Sequence, residues 1–141
     1  MRKRTQGREL ALKYLFSRDL QEQLDLEGFA EMAADQVKST DARDFARQLV
    51  EGILALHEPL KERIEKAARN WAWRRMPLID RNLLLIGVYE LTEMPDVPAT
   101  VTINEVVELA KRFSTSTSGA FVNGVLDAIN KEISSSECTK E

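Results

Sequence analysis

With 141 residues, 43% of them hydrophobic, 30% charged and only 6% aromatic, the chain is long enough to bury the core of one domain and suits a helical protein. One cysteine, Cys138, and one histidine, His57, exclude an internal disulfide, a Cys/His metal cluster and a Cys–His nucleophile pair. The net charge is −3, but Arg2, Lys3, Arg4 and Arg8 put four positive charges and no acid into the first eight residues, so removing those four leaves −7 for the remainder; such asymmetry describes a basic arm on an acidic body.

From about Thr5 the spacing predicts a helix with Leu12, Leu15, Phe16 and Leu20 on one stripe. Gly7 should fray its first turn at roughly 1 kcal/mol relative to alanine, and Arg4 and Arg8, four apart, share a face when that turn forms. An acidic, alanine-rich helix is expected over 26–37. Thr40 or Asp41 then caps a helix with the stripe Phe45, Leu49, Gly52, Ile53 and Leu56. Pro59 suits the start of the next, whose apolar face is Leu60, Ile64, Ala67, Ala68 and Trp71. Met76-Pro77 marks a boundary between an N-terminal half, 1–76, and a C-terminal half, 77–133. Asp80 can cap the run Leu83 to Leu91, which is apolar around almost its whole circumference and therefore central.

Pro95 and Pro98 force a turn. Beyond it, Thr102 and Glu105 have the spacing of a capping box and Val101 and Val106 that of a hydrophobic staple. Ile103, Val106, Val107 and Ala110 line one face. The polar stretch after Phe113 offers Ser118 as a cap, and Phe121, Val122, Val125 and Ile129 form the last stripe. The tail 134–141 is polar and expected to be disordered. No strand, repeat or coiled-coil run is legible, and no signal peptide or membrane span, so a soluble protein of the reducing cytoplasm is expected. The fold class is all-α, a bundle of six or seven helices in two packed halves.

Each candidate site has a plainer account beside it. Guanidinium groups in the arm can make charge-assisted phosphate contacts, or the arm is simply a solvated terminus. Arg69, Arg74 and Arg75 flank Trp71 and Trp73, but Trp71 completes a helical stripe and reads as core, and Glu62 and Glu65 dilute the charge. Ser114 to Ser118 offers hydroxyls and free amides for an anion, against ordinary capping. Phe121 could stack on a base, against core packing. No glycine-rich phosphate loop follows a strand, and no enzyme chemistry is supported.

Four stretches carry a family likeness. Val101–Lys111 (Val-Thr-Ile-Asn-Glu-Val-Val-Glu-Leu-Ala-Lys) and Phe121–Asp127 (Phe-Val-Asn-Gly-Val-Leu-Asp) strongly resemble the NusB family of bacterial transcription antitermination factors. Asp80-Arg81 leading into Tyr89-Glu90-Leu91 adds to this, as does Arg8-Glu9-Leu10-Ala11 followed by Leu15-Phe16-Ser17. The resemblance runs from about Arg8 to Ile129. It implies no catalysis, cofactor or metal, and a boxA-type single-stranded RNA held by the basic N-terminus, here Arg2, Lys3, Arg4 and Arg8. It also implies that the hairpin edge with Ser118, Phe121 and Asn123 lies beside that arm and continues the RNA surface. This sequence departs from many members at Ala120, where a basic residue is common, and from some at Thr117, where an acid stands. Asp80 and Arg81 are implied to dock NusE, a basic ribosomal small-subunit protein, the pair joining a transcribing RNA polymerase complex to suppress termination in ribosomal RNA operons. Two alternatives keep the fold: an RNA-binding or adaptor module of the kind some ribosomal RNA methyltransferases carry, for which a chain of 141 residues has no methyl-donor domain, and a protein adaptor that forms a homodimer.

Overall fold

The sixteen residues from Leu78 to Glu93 form the helix on which all the others are laid. A computed structural model describes residues 2–20, 28–29, 33 and 37–139, without the side chains of 2 and 136–139. Among these residues there are six α-helices and a single 3-10 turn. They are α1 (Arg2–Leu20), α2 (Thr40–Ala55), α3 (His57–Ala67), the turn Trp73–Arg75, α4 (Leu78–Glu93), α5 (Ala99–Phe113) and α6 (Ser116–Thr139). Helix α4 touches each of the other five. Its unbroken buried run Leu83, Leu84, Leu85, Ile86, Gly87 and Val88 explains why: a helix apolar on every side reaches its lowest free energy only when surrounded. One cluster of buried side chains extends from Leu10 to Ile129 and includes residues on both sides of Met76, itself buried.

Specific pairs fix the directions. Arg8 bonds Glu90 and Asn82 bonds Asp19, so α1 runs antiparallel to α4. Asp80 lies beside Ser118 and Gly87 faces Leu126, so α6 runs alongside α4 in the same sense. A Cβ on Gly87 would stand 2.8 Å from both Leu126 methyl groups.

Several local expectations are corrected by the fold. Gly7 does not fray α1, which begins at Arg2 and runs through it; a Cβ there would lie 2.8 Å from Phe45 Cδ2 and 2.9 Å from the Ala42 carbonyl. Its missing side chain lets α1 and α2 approach. Ser39 rather than Thr40 or Asp41 caps α2, its hydroxyl accepting from the Ala42 amide at 3.2 Å. Pro77 and Pro98 stand at the caps of α4 and α5, so Asp80 lies inside the first turn of α4. Helix α5 begins at Ala99, a turn ahead of the expected start, so the Thr102/Glu105 box does not form. Thr115 rather than Ser118 caps α6, accepting from the Ser118 amide at 3.0 Å. Helix α6 continues to Thr139, into the polar tail that composition predicts to be disordered. In α1, Leu12 and Leu15 are buried with Leu10, Ala11 and Tyr14, while Leu20 is exposed. The helix expected over 26–37 falls mostly outside the described residues; of those described there, Phe29 is buried and meets Tyr14 edge-on at 5.1 Å.

Candidate nucleic-acid interface

The first turns of α1 divide the basic residues into two kinds. Lys3 and Arg4 are exposed, and their ion pairs lie at the surface. Lys3 Nζ is 3.0 Å from Asp41, and Arg4 is 3.9 Å from Asp96 with its guanidinium 5.4 Å from the Phe45 ring. Exposed pairs of this sort are each worth under about 1 kcal/mol and are screened by salt, so an incoming phosphate can displace them. Arg2 opens α1.

Arg8 is different, and here the sequence expectation is corrected. It is 1% exposed and cannot reach a ligand from its place in the core. Its Nε and a terminal nitrogen donate to the two carboxylate oxygens of Glu90, each at 2.7 Å. Glu90 is fully buried and also accepts from the Thr102 hydroxyl at 3.0 Å. The other terminal nitrogen of Arg8 stands 3.5 Å from Glu105, which accepts in turn from Thr5. The Phe45 ring covers the guanidinium at 5.4 Å. Arg8, Glu90, Thr102 and Glu105 therefore tie α1, α4 and α5 together, and Thr102 and Glu105 serve that knot where a capping box was expected. Two charges removed from water are tolerated because the pair is bidentate and its spare lone pairs are used.

The hairpin meets α1 beside the arm through the end of α5, where Arg112 pairs with Glu9 at 3.2 Å, while Ser118 lies farther along. Ser118 lies beside Asp80 at the start of α4, level with Asp19 at the far end of α1, whereas Arg4 is level with Asp96. The helical rise between Arg4 and Asp19 amounts to about 22 Å. Ser118 is buried, its hydroxyl 2.9 Å from that of Ser114. Asn123 is exposed and Phe121 half-buried.

Asp80 and Arg81 are likewise less available than expected for a partner contact. Asp80 is 3% exposed, because the first turn of α4 points it at Ser118. The guanidinium of Arg81, half-buried, lies 5.6 Å from the Trp73 ring. Burial raises the Asp80 carboxyl above the ordinary 3.8, and the Ser118 hydrogen bond offsets only part of that rise. A carboxyl whose pKa rises on folding holds its proton more tightly when folded. Asp80 therefore withdraws stability as pH climbs from 3.8 through the raised folded value, with a constant penalty above it. The Asp80→Asn protein is expected to be at least as stable as the parent at pH 7 and to lack this descent. Urea unfolding at several pH values checks it; a parent-to-variant difference that stays constant with pH would count against it.

Trp71, expected in the core, lies at the surface. Helix α3 ends at Ala67, so Trp71 does not extend its stripe and is 51% exposed. Its ring meets that of Phe121 at 5.9 Å and 66°. Together they border an open cleft of about 400 Å³ whose lining includes Arg69, Asn70, Ala120 and Gly124. Trp73 is half-buried between His57 and the cations Lys61 and Arg81.

No group of acidic, histidine or cysteine side chains among the described residues could hold a metal ion, and no described helix is long and apolar enough to cross a membrane. An all-helical domain built around one encircled helix, with a basic first turn locked to it by a buried ion pair, defines the class. The NusB family model matches residues 5–131, and the chain belongs to the NusB family, whose members are non-enzymatic antitermination factors. It is 40% identical over 138 residues to the transcription antitermination protein NusB of Geotalea uraniireducens (strain Rf4), covering 92% of this chain and 94% of that one. It is 42% identical over 130 residues to the protein of that name from Myxococcus xanthus (strain DK1622), covering 89% and 93%. Among solved structures, it matches NusB in a crystal structure of antitermination factors NusB and NusE with double-stranded RNA, at a TM-score of 0.85 and 32% identity over 94% of this chain and 98% of that one. T. maritima NusB matches at 0.84 and 36%, covering 92% and 91%.

Proposed function

We propose that this protein is an antitermination factor that binds a boxA-type leader RNA together with NusE and promotes read-through in ribosomal RNA operons, within a transcribing polymerase complex. The observation that carries the reading is the exposed first turn of α1, where Lys3 and Arg4 stand in weak surface pairs while Arg8 anchors the turn from below. Arg2, Lys3 and Arg4 meet phosphate; Arg8 holds their helix in place. Phe121 and Asn123 form a second contact, roughly 15 Å from Arg4 along the bundle by helical rise, so the RNA runs along the surface to reach both. Membership of the NusB family and the likeness to a chain crystallised with NusE and RNA support the same assignment.

Lys3→Ala/Arg4→Ala should fold like the parent, weaken RNA binding on every sequence, and lower the slope of log affinity against log salt by up to about two. Fluorescence anisotropy at several salt concentrations measures both quantities. An unchanged slope would remove the arm from the interface and favour the protein-adaptor reading.

For NusE, Asp80 acts by fixing the start of α4 and Arg81 through its seat on Trp73, rather than by reaching the partner directly. Asp80→Lys would bury a second cation beside Arg81 and test folding instead of docking, so the parent titrated with NusE, with and without RNA, is the informative measurement. Affinity for RNA that does not rise with NusE present would argue against a shared surface.

A further inference from the structure

We propose that the cleft between Trp71 and Phe121 seats one unstacked base of the single-stranded RNA, a subsite separate from the basic arm. The inference rests on the RNA reading above and deepens it. Trp71 is 51% exposed beside the inclined ring of Phe121, so the two rings make a corner at the surface, with about half of Trp71 open to solvent. A flat aromatic surface of that kind accepts any base, since every base has a π-face.

The surroundings select for a nucleotide. Among the described residues no acid lines the cleft. Arg69 supplies a cation for the neighbouring phosphate and Asn70 both a donor and an acceptor for a base edge. Small residues keep the cleft open: a Cβ added to Gly124 would meet nothing within 4 Å, and Ala120 adds only a methyl group. A basic protein such as NusE would find one positive charge there and no carboxylate to pair with, so charge complementarity favours RNA over that partner.

The chain has two tryptophans, so the emission change seen in the parent and lost in Trp71→Phe is the contribution of Trp71. Labelled boxA-type RNA and a scrambled strand of equal length are titrated while RNA anisotropy and indole emission are followed together. The expected result is quenching in step with binding, relieved by one abasic substitution in the RNA. Trp71→Leu should weaken binding roughly tenfold and Trp71→Phe much less. If anisotropy rises while emission stays constant and Trp71→Leu binds like the parent, the base site is overturned and the RNA reading stands. If neither strand moves anisotropy, both fall. If NusE quenches the indole and RNA does not, the cleft belongs to a protein contact and the inference is overturned.

Discussion

Arg8→Ala is expected to lower the unfolding free energy by about 3–5 kcal/mol, because it leaves Glu90 ionisable, buried and without its bidentate partner. A domain of this size has roughly 5–15 kcal/mol in total, so the variant should be close to its limit at 37 °C. Arg8→Met/Glu90→Gln removes both charges and keeps similar volume, and it should regain much of the loss, since replacing a whole buried pair is often neutral. Urea unfolding of parent, single and double variants decides the matter. A single variant within 1 kcal/mol of the parent would mean that the pair is not the anchor described. The comparison also bears on RNA affinity. If Arg8 positions the arm rather than touching phosphate, the folded double variant should keep the parental salt slope while losing affinity.

A second large effect is expected at Gly7, with a sign opposite to helix propensity. On an exposed helix, glycine to alanine gains about 1 kcal/mol. Here the added methyl would meet Phe45 and, at 2.9 Å, the carbonyl of Ala42. A ring can tilt, but a backbone carbonyl moves only with its helix. Gly7→Ala is therefore expected to cost about 1–3 kcal/mol by overpacking. Its effect on RNA should track the displacement of the first turn of α1. Thermal and urea denaturation give the sign directly, and a stabilised variant would show that α1 and α2 are less closely packed.

Elements whose signal was local were legible in the sequence. The apolar circumference of Leu83 to Leu91 marked the central helix, and Phe45, Leu49 and Ile53 marked the buried face of α2, because periodicity reports burial without needing to name the neighbour. Long-range polar pairing was not legible. Arg8 reads like Lys3 and Arg4 until Glu90 is found against it, and Thr102 and Glu105 have capping-box spacing yet serve that same pair. One clue was available: Glu90 is a lone acid inside an apolar run, and a carboxylate so enclosed needs a cation or strong donors. Trp71 was misplaced because its spacing extends a stripe whose helix had already ended at Ala67. How far Ser118 lies from the arm depends on helix directions, which no single segment encodes.

The ion pair joins residues 82 apart in the chain, and this has a bearing on how the protein is made. During synthesis the amino-terminal helix emerges first, but its guanidinium has no seat until more than half the polypeptide has followed. A nascent chain shorter than that carries a basic helix with one unmatched charge on its apolar side. Closing of the core and presentation of the arm thus happen together, so a half-made protein does not compete for RNA in its mature geometry.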